Sequence, residues 1–241
     1  SFYASQDRAV TTEDYKTKVK QLYANTQSVS AWGGEDAETP FYGRVYLSIL
    51  PTSGSNLTEA TKDRIVKDLK KYSVASVTPV IIDPETTDLI ITSNVKFDDA
   101  NTSKTADTIK SNVITTITEY NATTLQSFDT IFRYSKLTGL IDDTDTSILS
   151  NITTIKMRKS FVPTIGSSTK YTINFANALY NPHSGHNSAS GGILESTGFK
   201  IDGNTTDVFF LDDDGAGNVR RYYIVSGVRT YANNTQGTIN Y

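Results

Sequence analysis

Three consecutive carboxylates, Asp212-Asp213-Asp214, run into Gly215-Ala216-Gly217-Asn218 and form the densest set of potential ligands in the chain. Oxygens packed this closely could hold a hard cation such as calcium. The EF-hand version of such a loop needs oxygen ligands at alternate positions, a glycine at the sixth and a glutamate at the twelfth. Here Ala216 stands fifth and Tyr223 twelfth, so that pattern fails. Apolar stretches lie on both sides, Val208 to Leu211 and Val219 to Val225. They predict a hairpin, because Asp and Gly tolerate the left-handed backbone of a tight turn. An adventitious calcium site is the alternative.

His183 and His186, in His183-Ser184-Gly185-His186, could act as metal ligands or as a general base. Zinc would need a third and usually a fourth ligand, and Glu195 has no helical spacing that would bring it near. The Gly, Ser and Asn around them predict an exposed loop, at most a pH-dependent contact. Asp142, Asp143 and Asp145 could pair as acid and base, but no apolar pocket signal accompanies them. A polar connection that caps the next element is the expected role. Gly33-Gly34 and Gly191-Gly192 lack phosphate-loop and dinucleotide-loop spacing and read as backbone turns. No serine sits in G-x-S-x-G. The N-x-[ST] triplets at Asn56, Asn101, Asn121, Asn151, Asn204 and Asn233 are what an Asn- and Thr-rich chain supplies by chance. The inventory therefore offers no catalytic residue, no metal site and no cofactor or small-molecule site.

The 241 residues suffice for one large or two ordinary domains. A 37% hydrophobic share is lean, but 10% aromatics and a net charge of only -3 predict a folded chain. The near-neutral balance gives no footprint for nucleic acid. With no cysteine, a disulfide framework and thiolate chemistry are excluded, which fits synthesis in a reducing cytoplasm. No apolar run approaches the roughly 20 residues of a membrane helix, and no signal peptide is recognised at the start. Ser1-Phe2-Tyr3, without an initiator methionine, predicts a piece of a longer protein.

These groups must be carried by elements, and hydrophobic periodicity supplies them. Thr11 or Thr12 can cap a helix that places Tyr15, Val19 and Leu22 on one face, with Glu13 and Asp14 at its positive end. Val29 to Trp32 and Arg44 to Leu50 read as strands. Thr58 starts a second helix with Ile65, Leu69 and Tyr72 as its stripe. Val77 to Ile82 is strand-like, and Leu89 to Phe97 returns after the Asp83-Pro84-Glu85 turn. A helix over 103–120 carries Ala106, Ile109, Val113, Ile117 and Tyr120, a shorter one spans Phe128 to Leu140, and Ile148 to Lys159 is a further strand.

From Arg44 to Lys159 this order is the split βαβ of ferredoxin-like folds, two helices on one face of an antiparallel sheet. After Phe161-Val162-Pro163 the pattern changes. Strand candidates are Tyr171 to Leu179, Ile193 to Ile201, Val208 to Leu211 and Val219 to Arg229, separated by Gly and Asn/Asp clusters. The expected class is α+β, divided into an N-terminal helix and strand over 1–42 that packs on the next domain, a ferredoxin-like domain with a helical insert over 43–160, and a small antiparallel β domain over 161–241.

Within that β domain, Phe209-Phe210 and Tyr222-Tyr223 are adjacent apolar pairs on strands, and adjacent strand residues point to opposite faces. One face can fill a core. The other is either covered internally, as in a sandwich, or meets another subunit. Phe209, Phe210, Tyr222 and Tyr223 are therefore the candidate interface residues, Tyr being favoured at contacts for its apolar ring and its hydroxyl.

One stretch carries a resemblance. Arg8-Ala9-Val10-Thr11-Thr12-Glu13-Asp14-Tyr15 is followed by Trp32-Gly33-Gly34 and then by Gly43-Arg44-Val45-Tyr46-Leu47-Ser48-Ile49-Leu50-Pro51. It resembles the baseplate J-like wedge proteins of contractile-tailed phages, in which A-V-T-x-x-D-Y opens a helix and G-x-V-x-V-x-I-x-P forms a strand soon after. The likeness weakens after Phe161. It implies a structural, non-enzymatic protein of the virion tail baseplate, assembled in the host cytoplasm. It further implies a homodimer within a ring around the tail hub, contacts with other wedge proteins, and rearrangement when the sheath contracts. Nucleic acid, membrane and small-molecule partners are not implied. A surface adhesin or carbohydrate-binding module is the alternative, with the many tyrosines stacking on sugars. A hydrolase would require two carboxylates facing each other across a cleft, roughly 5–10 Å apart.

Overall fold

The computed structural model describes residues 8–36, 40–54, 56–181, 183 and 192–241. The chain divides into two compact units, 1–160 and 161–241.

The first unit begins with helix α1, Thr12–Leu22. Thr11 caps it in a reciprocal box: the Asp14 N–H donates to Thr11 Oγ1 at 3.2 Å, and the Thr11 N–H donates to Asp14 Oδ2 at 2.9 Å. Those backbone donors, with Val10 N–H, hold the Asp14 carboxyl below its ordinary value. Strand β1, Thr26–Gly33, pairs antiparallel with β2, Arg44–Pro51. Between them the chain doubles back at Gly34, where the Phe41 N–H donates to the Gly34 carbonyl at 2.8 Å. A Cβ at Gly34 would overlap the Phe41 carbonyl oxygen, so only glycine allows this approach. Helix α2, Glu59–Leu69, capped by Thr58, then crosses to β3, Thr78–Ile82, which lies parallel to β2. Tyr15, Val19, Val29, Val45, Leu47, Ile49, Ile65 and Leu69 close over one core.

A second core follows in the same unit. Strands β4, Asp88–Phe97, and β5, Ile148–Arg158, form an antiparallel ribbon. Helices α3, Ala106–Tyr120, and α4, Tyr134–Asp142, pack on its inner face. Ile109, Val113, Tyr120, Leu137 and Ile141 are buried there against Ile91, Val95, Phe97, Ile148 and Ile155. The chain leaves α3 through a wide turn at Asn121–Leu125.

The mixed α+β class is observed, but the ferredoxin-like sheet is not the arrangement formed. That fold would place β2 beside β4 and β5 in one four-stranded sheet. Instead β2 pairs directly with β3, and β4 with β5 alone. Element order is shared by both topologies, so periodicity could not separate them. The short helix also starts later than its apolar spacing predicted. Asp129 has φ 64°, and the Thr130 hydroxyl donates to the Ser127 carbonyl at 2.7 Å, a local alternative to helical bonding.

Among the described residues of the second unit one sheet is formed, in the order β6-β7-β8-β9. Its strands are Phe199–Ile201, Asn204–Asp213, Asn218–Val225 and Val228–Thr238, all antiparallel to their neighbours. The stretch predicted as a single strand from Val219 to Arg229 is two strands, because Ser226 and Gly227 both have positive φ, 51° and 81°, and turn the chain between Val225 and Val228. Tyr171 to Leu179 is not a strand: its alternation is present, but no strand among the described residues pairs with it.

Candidate interface and buried charge cluster

Cross-strand pairing decides where the four candidate interface residues point. Phe209 faces Tyr223, with ring centroids 5.6 Å apart and edge-on, and Phe210 faces Tyr222 at 5.5 Å, stacked. Directly opposed residues share a face, so the two pairs line opposite faces of the sheet. Phe199 extends the first row, 6.4 Å from Phe209, and Tyr231 extends the second, 5.8 Å from Tyr222. Phe209 and Tyr222 are buried, whereas Phe210 and Tyr223 are half-buried. The cover comes from arginines of the same sheet: the Arg221 guanidinium lies 5.3 Å from the Phe209 ring centre, and that of Arg229 lies 4.7 Å from Tyr222. So Phe209 and Tyr222 are already roofed within the unit and offer almost no surface. The large apolar residues left exposed nearby are Phe199, Val208, Ile224, Val225 and Val228.

The three aspartates separate into three roles. Asp212 is buried on β7 and collects cations. Arg220 donates to it from Nε at 3.0 Å and from Nη2 at 3.2 Å, Arg229 Nη1 donates at 2.8 Å, and the Tyr231 hydroxyl at 2.9 Å. The Arg220 guanidinium also stacks 4.3 Å from the Tyr231 ring centre and donates to the Asp213 carbonyl. Burial, joined by the hydrogen bond to Asp212, raises the Tyr231 phenol above its ordinary value. Asp213 points elsewhere and accepts from Leu194 N–H at 2.7 Å, Gly215 N–H at 3.1 Å and the Tyr241 hydroxyl at 2.5 Å. Burial and that bond push the Tyr241 phenol up to about 12. A Cβ at Gly192 would overlap the Asp213 carboxylate, so glycine lets that segment of the chain approach it. Asp214 makes the turn, accepting from Ala216 N–H, Asn218 N–H and Asn218 Nδ2. Burial alone would raise its carboxyl, but these donors outweigh it and the net shift is downward.

Three carboxylates turned to three donor sets do not converge on a cation. The hairpin expected from the sequence is present, with Asp212 opposite Arg220 and Asp213 opposite Val219. Among the described residues no group of three or more His, Asp or Glu is placed to hold a metal ion. His183 is exposed and, with Asn181, Gly215, Ala216, Gly217 and Tyr241, lines a shallow cavity of about 200 Å³; His186 lies outside the described residues. In the first unit Asp145 is buried, pairs with Lys104 Nζ at 2.5 Å, and accepts from the Ser147 hydroxyl and N–H at the entry to β5. Those donors, Lys104 first, hold its carboxyl far below its ordinary value. Asp142 accepts from Asn151 Nδ2 at 2.7 Å. Asp145 therefore fastens the entry to β5, and Asp142 holds the Asn151 amide, so neither is placed as half of an acid–base pair.

Sequence reasoning missed Arg220, Arg229 and Tyr231. Their signal was the register of two short turns: once Asp214–Gly217 and Ser226-Gly227 are fixed, Arg220 falls opposite Asp212 and Arg229 one strand beyond.

The geometry is thus that of a chain whose ionisable groups serve packing. Two family models match it in tandem: the baseplate structural protein gp6 C-terminal domain I over residues 11–82, and C-terminal domain III of the same protein over 89–160. The chain belongs to the gp6 family of baseplate proteins. The matched segments coincide with the two cores of the first unit, and the break falls at the Asp83–Thr87 connection between β3 and β4. Baseplate wedge protein gp6 of Enterobacteria phage T4 is 30% identical over 156 residues, which is 64% of this chain. The chain spans 23% of the length of that T4 protein. Membership of gp6 makes this a non-enzymatic structural protein of the virion, located in the tail baseplate.

Proposed function

We propose that this gp6 chain is a structural module of the baseplate wedge that associates with copies of itself in a ring and with other wedge proteins. It shifts between two arrangements when the sheath contracts. The supporting observation is the tandem match to gp6 domains I and III, each falling on a separate hydrophobic core. Two small cores joined by one short connection suit a part that must hold its own shape while its surroundings move. In the β unit the half-buried Phe210 and Tyr223, with exposed Ile224, Val225 and Val228, supply contact area, and the buried Tyr222 and Phe209 pack beside them on the same faces. Sedimentation velocity across a concentration series tests self-association. A dimer or larger species that grows with concentration is expected. A strictly monomeric chain at high micromolar concentration contradicts it.

A further inference from the structure

The β4–β5 ribbon has two outer edges, and only one is guarded. Along β5 the Tyr134 hydroxyl of α4 donates to the Thr153 carbonyl at 2.8 Å, and Asn151 Nδ2 donates to Thr138 O at 3.0 Å. Helix α4 therefore sits against that strand. Strand β4 pairs with β5 and with no other strand among the described residues. It is ten residues long, has no proline or glycine, and its single register shift comes only at Lys96/Phe97. Exposed edges in soluble proteins are normally shortened, bulged or interrupted by proline.

The residues along that edge are complementary to themselves. In β4 the odd-numbered side chains, Leu89, Ile91, Ser93, Val95 and Phe97, are half-buried, and the even-numbered ones are exposed. A two-fold axis at Thr92 would lay a second β4 antiparallel beside the first. Thr92 would then face Thr92, Ile90 would face Asn94, and Asp88 would face Lys96. Leu89 would meet Val95 on the helix-covered side. Shifting the pairing by two residues in one direction sets Asp88 against Asp98, and in the other sets Asp88 against Asn94 and Lys96 against Thr86, so that Asp88 keeps only its pair with Arg158 of β5, at 2.9 Å, and Lys96 gains no carboxylate. The register centred on Thr92 is therefore the one that opposes unlike charges.

Helix α3 supplies a second, independent feature above the same edge. Thr116 accepts a hydrogen bond from Thr144 at the end of α4, and Lys136 of α4 lies over the Tyr120 ring, so this flank of α3 faces α4. At about 100° per residue, Ile114 falls on the flank turned away from α4. It is 53% exposed, whereas Ile109, Val113 and Tyr120 of the same helix are buried. Two copies joined along β4 would bring their Ile114 flanks together over the new sheet.

We propose that the outer edge of β4, with the Ile114 flank of α3, is an interface between two copies of this chain, making one continuous four-stranded sheet β5-β4-β4-β5. This names the surface for the self-association proposed above and rests on it. The absence of cysteine from the chain makes a clean test possible. Thr92→Cys would place two sulfurs opposite each other across the axis, within the Cα separation of about 4.4–6.8 Å that a disulfide needs. Thr154→Cys, on the neighbouring β5, would leave its two copies about 14 Å apart across three strand spacings. Under mild oxidation at a concentration where the full chain sediments as a dimer, T92C is expected to link at least tenfold faster than T154C. Ile114→Lys is expected to weaken association at least tenfold, with an unchanged circular dichroism spectrum. If the chain dimerises while T92C links no faster than T154C, this surface is wrong and self-association stands. If the chain stays monomeric at every concentration, both fail.

Discussion

Arg229 on β9 reaches past β8 to donate to Asp212 Oδ2 on β7 at 2.8 Å. The two strands are not neighbours, and Arg220 on the strand between them holds the same carboxylate from Nε and Nη2. One buried anion thus ties three of the four strands of the β unit through side chains as well as through the backbone ladder.

Removing that anion should unfold the β unit selectively. Asp212→Ala leaves Arg220 buried without its main acceptor, a loss worth about 3–5 kcal/mol for a broken buried pair. Trp32 is the single tryptophan and lies on β1, so its fluorescence reports the first unit. Urea unfolding of D212A should split off an early near-ultraviolet tyrosine phase at lower denaturant, from tyrosines of the β unit such as Tyr222, Tyr223, Tyr231 and Tyr241, and leave the Trp32 transition in place with the tyrosines of the first unit. Coincident shifts in both signals would contradict the assignment.

The converse holds for the first core. Leu47 is fully buried on β2 among Val19, Val45, Ile49 and Leu69. Leu47→Ala should cost about 2–5 kcal/mol, the lost transfer energy plus a cavity. The Trp32 transition should shift accordingly, with the β-unit signal unmoved.

Asp145 gives the first unit an acid limit. Its carboxyl is held far below the ordinary value by Lys104 and by Ser147. A depressed folded-state pKa contributes stability that is complete above the unfolded value, near 3.8, and is lost as pH falls below it. Asp145→Asn should lower stability at pH 6 and flatten its decline between pH 5 and pH 2. An unchanged acid profile for D145N would contradict the role given to Lys104.

Tyr241 sets an alkaline limit with the opposite sign. Its phenol is raised from 10.0 to about 12 by burial and by its hydrogen bond to Asp213. A raised folded-state pKa contributes stability that is complete below the unfolded value and is lost as pH rises through the folded one. Stability of the β unit should fall between about pH 10 and pH 12. Tyr241→Phe should make that slope shallower, leaving the share that comes from the raised Tyr231 phenol, checked by thermal unfolding at pH 9, 10 and 11.

The parts legible in the sequence were those set by short-range periodicity. Tyr15 and Val19 at helical spacing after the Thr11 cap gave α1, and alternation from Leu89 to Phe97 gave β4. Pairing was not legible. Nothing local tells β2 to choose β3 over β4, because that choice depends on how α2 crosses and on which apolar faces meet. The same limit hid the candidate site. Phe209 and Tyr222 were visible as adjacent aromatics, but the arginines that cover them come from residues whose position depends on the left-handed Ser226-Gly227 turn. By sequence alone, Asp212-Asp213-Asp214 reads as a turn with acids at its tip. In the fold only Asp214 belongs to the turn, while Asp212 and Asp213 are buried in the strand before it.

The most direct measurement is an electron-microscopy map of the assembled phage tail, at a resolution that separates strands, with this chain fitted into it. The account predicts copies of the chain in the baseplate around the tail hub, touching one another and other wedge proteins, with different contacts before and after sheath contraction. Copies isolated from one another in the baseplate, or density for the chain only outside it, would contradict the account.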